Sequence, residues 1–182
     1  MNEYLRQLLE VNYLLSGKNK LYNFEEWKTG KRPLFIVGLS GAGKSTLGRK
    51  LSQDYKAEYI ELDSIDKKFR KQMMKRYGLD RWNEKINELT YQHMKKYFDN
   101  LERSNRRVIV EGIHILYYPD YKYFKGKSVI IMGLSVLLSS LRAFKRNKAK
   151  YGDKHSLYEI IEDILRNQRD FIKRLKKFEK SI

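Results

Sequence analysis

The chain has 182 residues, no cysteine, three histidines and a net charge of +17, from 39 Lys and Arg against 22 Asp and Glu. That length predicts one domain around a continuous core. The lack of cysteine excludes disulfides, thiolate catalysis and thiolate zinc sites, and is compatible with a reducing, cytoplasmic setting. There is no apolar run of about twenty residues, so no membrane span is expected, and the positive charge predicts polyanionic partners such as nucleotides, nucleic acid or an anionic surface.

In chain order, Leu5, Leu8, Leu9 and Leu15 fall near one side of a helix, and Phe24 and Trp27 follow before the turn-forming "TGKRP". Residues 1–32 therefore read as an N-terminal helical extension whose expected role is to cover an edge of the sheet; a lid or a partner surface is the alternative. The apolar run "LFIVG" (34–38) predicts a buried strand, Lys44 to Tyr55 a helix, and "AEYIEL" (57–62) a second strand. "KKFRKQMMKR" (67–76) follows, with six basic and no acidic residues. From Arg81 to about Ser104, Trp82, Ile86, Leu89, His93, Tyr97 and Leu101 recur at spacings of three and four, which predicts a long amphipathic helix with His93 as a core histidine.

"RRVIVEG" (106–112) and "KSVIIMGL" (127–134) predict two more strands, separated by "IHILYYPDYKYFKG", which has room only for a loop or a short helix. Helix is expected over 136–150, and again towards the C-terminus, where Leu157, Ile161, Leu165, Ile172, Leu175 and Phe178 share one face. Strands alternating with helices predict an α/β fold, a three-layer sandwich around a mostly parallel sheet.

Gly38, Gly43, Lys44 and Ser45 fill the pattern G-x-x-x-x-G-K-[ST] between a strand and a helix, the setting in which that pattern holds phosphate. Glycines let main-chain amides approach an anion closely, and the helix beginning near Lys44 directs its positive end at the same point. The expected nucleotide-binding set is Gly38, Ser40, Gly41, Ala42, Gly43, Lys44, Ser45 and Thr46. Lys44 supplies a cation to the terminal phosphates and Ser45 a hydroxyl to magnesium.

Four segments resemble the P-loop kinases of small molecules and nucleosides, across residues 33 to about 178. "GLSGAGKST" is similar to the loops of adenylylsulfate, shikimate and uridine kinases. "IELDSID" resembles the D-S-F-Y-like stretch of uridine kinases, and "VIVEGIHIL" the corresponding E-G segment of uridine kinases and the phosphoribulokinase-like group. "LRAFKRNKAKYGD" is similar to an arginine-bearing lid.

The resemblance implies a P-loop NTPase fold over 33–182 with a lid at about 142–154, and ATP and Mg as cofactors. It implies that Asp63 accepts a proton from, or orients, the acceptor hydroxyl, and that Arg142 and Arg146 stabilise the transferring phosphoryl. Glu111, expensive to bury at a strand end unless it meets a cation, joins Ser45 at the metal. Asp66 either caps the helix or binds substrate, and Gly112 leaves room for it. In the family's usual arrangement the helix after the second strand walls the acceptor pocket, where Arg70, Lys71 and Arg76 would grip an anionic acceptor such as a nucleotide, a sugar phosphate or a nucleic-acid end; Tyr117 and Tyr118 stack on a base or belong to the core.

The chain lacks the extra hairpin of uridine kinases and the glycine-rich substrate motif of shikimate kinases, so the acceptor stays open. The expected function is an ATP- and Mg-dependent kinase acting on a nucleoside, nucleotide or sugar. A polynucleotide end kinase, which the net charge favours, and a non-catalytic nucleotide sensor are the alternatives. Oligomeric state is not legible.

Overall fold

A computed structural model describes residues 19–80, 83–132, 145 and 169–182. Among them, five strands form one sheet: β1 (Lys20–Tyr22), β2 (Pro33–Val37), β3 (Glu58–Glu61), β4 (Val108–Glu111) and β5 (Ser128–Ile131), in the order β1-β5-β2-β4-β3. β2 runs parallel to β4 and β5, β3 runs parallel to β4, and only β1 is antiparallel. The strand that leads into the phosphate loop is therefore the central one.

Every residue of β2, β4 and β5 is buried, as their unbroken apolar sequences require of a sheet covered on both faces. Successive side chains then alternate between two cores. Phe35, Val37, Val108, Val110, Val129 and Ile131 enter the larger one, which α4 (Glu84–Arg103) and the helical residues 169–179 close. Leu34, Ile36, Ile109 and Ile130 enter the other, closed by α1 (Phe24–Thr29) and α2 (Lys44–Tyr55) through Trp27 and Leu51. The arrangement is the expected three-layer α/β/α sandwich.

Three boundaries differ from the sequence expectation. Residues 20–22 form an edge strand, unmarked by any long apolar run because three residues on an edge bury one face at most. β3 ends at Glu61, where its pairing with β4 stops at Glu111 before Gly112 turns away, and Leu62 opens α3 (Leu62–Tyr77). Asp63 consequently lies in the first turn of a helix rather than at a strand end. α4 begins at Glu84, with the Asn83 side chain accepting from the Lys85 amide.

The buried stripe of α4 is Ile86, Thr90, Met94, Phe98 and Leu101, while Leu89, His93 and Tyr97 flank it half-buried. The helix serves two neighbours at once. Its centre faces the sheet, and its shoulder faces α3, where His93 stacks on Phe69 at 4.0 Å and 5°. Burial lowers the pKa of His93, consistent with a neutral packed ring.

Phe98 meets Phe35, Tyr118, Tyr123 and Phe124 with ring centroids 5.5 to 6.0 Å apart. Phe98→Ala is expected to destabilise the fold by about 3–5 kcal/mol, read as a lower urea midpoint at unchanged slope. An unshifted midpoint would mean that this cluster is not the centre of the core.

No helix among the described residues is long and apolar enough to cross a membrane. The expected helix over 4–15, the lid at 142–154 with Arg142 and Arg146, and most of the C-terminal helix lie outside the described residues.

Candidate functional site

The loop after β2 is built by conformation. Gly41 and Gly43 take φ of +85° and +87°, and the Ala42 amide donates to Leu39 O at 3.0 Å. A Cβ on Gly43 would touch nothing within 4 Å, so its backbone angle rather than crowding calls for glycine there. At Gly38 the reason is space, because a Cβ would lie 2.7 Å from that of Met132. Gly43 is the N-cap of α2, whose first residues are Lys44, Ser45 and Thr46. The first-turn amides of that helix thus meet a loop that already curls back on itself, an anion cradle in geometry.

Lys44 is 8% exposed and donates from Nζ to Gly38 O at 3.1 Å and Leu39 O at 3.2 Å. Its charge is held inside the loop's curve. Ser45 is half-buried and Thr46 exposed at the mouth.

Glu111 is 3% exposed at the end of β4, and its Oε1 accepts from both the Ser45 hydroxyl and the Tyr59 phenol at 2.9 Å. The sequence pairs Glu111 with a cation; among the described residues, two hydroxyls satisfy it. Burial, reinforced by the bond to Glu111, pushes the Tyr59 phenol up to about 12, so it remains a donor at neutral pH. Tyr59 is absent from the sequence-based site, although it lies in the quoted "AEYIEL". In one strand, nothing separates an aromatic that serves a carboxylate from one that serves the core.

Asp63 and Asp66 occupy the first two turns of α3 and diverge in environment. Asp63 has a side chain 41% exposed, and its Oδ1 accepts from the His114 amide at 3.4 Å. Gly112 makes this approach possible, since a Cβ there would lie 2.6 Å from Asp63 Oδ1. Asp66 is 1% exposed and receives Arg70 Nε on both oxygens, at 3.1 and 3.0 Å, while Arg70 Nη1 donates to Asn87 Oδ1 at 2.7 Å. A buried carboxylate needs such a partner.

His114 stands between the two acids, with Nδ1 3.5 Å from Asp66 and Nε2 3.9 Å from Asp63. It too was missed, despite following Gly112 closely at the end of a strand.

Asp66, Arg70, Asn87, His114 and Tyr117 line a cavity of ≈ 740 Å³ between α3, α4 and the 3₁₀ turn Ile113–Tyr117. Arg76 is exposed near the far end of α3, stacked on Tyr77, and does not line it; Lys71 is exposed. Tyr118 is buried in the larger core, whereas Tyr117 is 46% exposed at the cavity. The structure thus brings the loop, Glu111, Gly112 and Asp63 to one end of the parallel strands, with Asp66 and Arg70 in the adjoining cavity. Strand carboxyl ends are where open α/β sheets bind ligands.

A family model described as an AAA domain matches residues 34–112, the span from β2 through the loop to Gly112. Shikimate kinase of Clostridium botulinum is 29% identical over 144 residues, covering 74% of this chain and 79% of its own length.

Shikimate kinase of Vibrio cholerae is 51% identical to this chain over 35 residues, about a fifth of either chain. Among solved structures, a chain of the Pnkp1/Rnl/Hen1 RNA repair complex has TM-score 0.49 and 16% identity, covering 84% of this chain and 46% of that one. Shikimate kinase from Acinetobacter baumannii in complex with shikimate has TM-score 0.47 and 16% identity, covering 82% of each.

Proposed function

We propose that the chain is a magnesium-dependent kinase that transfers the γ-phosphoryl group of ATP to a hydroxyl or phosphate of a small acceptor bound in the cavity beside Asp66. The observation that carries this reading is the arrangement around Gly112: an exposed carboxylate, Asp63, in the first turn of α3 beside the strand ends that also carry the phosphate loop, next to a cavity of ≈ 740 Å³.

The residues fit both groups. The Gly41–Gly43 curl, the α2 N-terminus and the Lys44 ammonium are an anion cradle for the triphosphate. Ser45 and Glu111, an alcohol touching a carboxylate, are oxygen donors that would hold a hard cation such as magnesium. When bound, that ion neutralises charge on the phosphates.

In this reading the chain's own groups divide the work. The loop amides and Lys44 hold the donor in line, and Lys44 offsets negative charge as the bond breaks. Asp63, oriented by the His114 amide, accepts the acceptor's hydroxyl proton. Asp66 and Arg70, locked together by the Arg70 Nε donation to both Asp66 oxygens, form a rigid polar wall. Arg142 and Arg146 would cover the donor as a lid.

The test is acceptor-dependent ADP formation across nucleosides, nucleotides, sugars and oligonucleotide ends, with Asp63→Asn as control. Turnover of a small acceptor by the wild type alone is expected. Phosphorylation of oligonucleotide ends with no small acceptor used would replace this reading by the polynucleotide one, and ATP binding without any turnover would replace it by the sensor.

Tyr59 shares Glu111 with Ser45. Tyr59→Phe deletes one of the two hydroxyl donors to Glu111 while keeping the ring that packs over Gly48. The apparent affinity for Mg is expected to fall by about 10–100-fold, as the loss of a partner that orients a metal-ligating carboxylate implies. Saturating Mg should restore kcat; a kcat loss that excess Mg does not repair would assign Tyr59 a different role.

A further inference from the structure

The acceptor cavity continues outward. It shares Tyr117, Tyr118 and Arg174 with an adjoining cleft of ≈ 460 Å³, to which Asp170, Lys173 and Lys177 also contribute. Three cations against one carboxylate leave this cleft positive. They stand on an anchored support, because Phe171, Leu175 and Phe178, each at most 1% exposed, fix residues 169–179 to the larger core. Lys173, Arg174 and Lys177 occupy the remaining side of that helix, so their register against the cleft is set by packing.

Arg174 is itself positioned. Its Nε donates to Asp170 at 2.9 Å, and its guanidinium lies 4.4 Å from the centre of the Tyr117 ring. Tyr117 nevertheless stays 46% exposed, so an aromatic surface backed by a cation stands at the seam of the two cavities. A neutral sugar would leave both lysines unused, and a simple hydroxy acid would leave the ring unused. A molecule with a flat base and a phosphate would use the ring for stacking and the lysines for the anion.

We infer that the acceptor is a phosphate-bearing nucleoside, its base against Tyr117 and its phosphate held by Lys173 and Lys177. The inference deepens the kinase reading and rests on it for the word acceptor. The cleft can be tested separately, by calorimetric binding of a nucleoside and its 5′-monophosphate to protein saturated with a non-hydrolysable ATP analogue. The Lys44→Ala variant is run in parallel to exclude binding at the phosphate loop.

The monophosphate should bind about tenfold or more tightly than the nucleoside, as one or two charge-assisted contacts imply. Lys173→Gln with Lys177→Gln, both exposed positions, should remove that preference. Tyr117→Leu should weaken nucleoside and nucleotide alike, and Tyr117→Phe should not. Equal affinity of nucleoside and monophosphate, or a preference that survives in the double variant, overturns the inference.

A 5′-phosphorylated oligonucleotide on the same proteins tells a strand end from a free nucleotide. Lysine-dependent binding of either supports the site, and lysine-independent binding of both overturns it. Because ADP formation is not read here, a protein that binds the monophosphate but turns over no acceptor keeps the cleft and loses the kinase reading.

Discussion

Replacing Lys44 with alanine is expected to abolish detectable ATP turnover, with a loss of about 10³-fold or more in kcat/KM. The physical reason lies in how the ammonium is held. It is buried, and the Gly38 and Leu39 carbonyls keep it within the curve of the loop. Any phosphate in that curve meets a charge already desolvated and positioned, which is worth far more than a mobile surface lysine. Lys44→Arg keeps the charge but not the compact head, and should recover little. Melting temperatures beside the kinetics separate a damaged site from a damaged fold. Retained turnover in a folded Lys44→Ala protein would overturn the phosphate-loop assignment.

Asp63→Asn is expected to lower kcat by about 10²–10⁴-fold, the range for losing a general base, with ATP affinity and stability nearly unchanged. The side chain is 41% exposed and its contacts to His114 are long, 3.4 Å from the amide and 3.9 Å from Nε2, and an asparagine oxygen can also accept from that amide. Asp66 provides the contrast three residues on. It is sealed against Arg70, so Asp66→Ala should cost about 3–5 kcal/mol of stability by stranding a buried charge. If the two variants behave alike, with Asp63→Asn unfolding the protein or Asp66→Ala sparing it, the roles given to the two acids must be exchanged.

The two carboxylates of "LDSID" illustrate what a linear reading can and cannot see. Their spacing of three puts both on nearby faces of one helix, but which one is exposed depends on Gly112, just after β4, and on His114, which lies 51 residues from Asp63 in sequence. Tyr59 reaches Glu111 because β3 and β4 pair in register, Glu61 beside Glu111, and Ser45 does because β2, which leads into its loop, pairs β4 from the other side, Ile36 beside Glu111. On α4 the spacing pattern identified the helix, but its buried line runs one residue over, through Thr90, Met94 and Phe98. A period of 3.6 fits neighbouring stripes nearly equally well when both carry apolar residues, and the choice falls to the partners on either side.

What the sequence determined by itself is the donor half. The phosphate loop is a contiguous segment whose conformation follows from glycines at fixed spacing and a strand-to-helix change, all local physics. The parallel sheet likewise follows from apolar runs alternating with helices.

Only tertiary structure decided the other half. The cavity of Asp66, Arg70 and His114, the Tyr59–Glu111–Ser45 contact and the cation-lined cleft under Tyr117 join residues from separate elements. Such sites are made by side chains brought together through packing, and no spacing along the chain encodes which faces will meet.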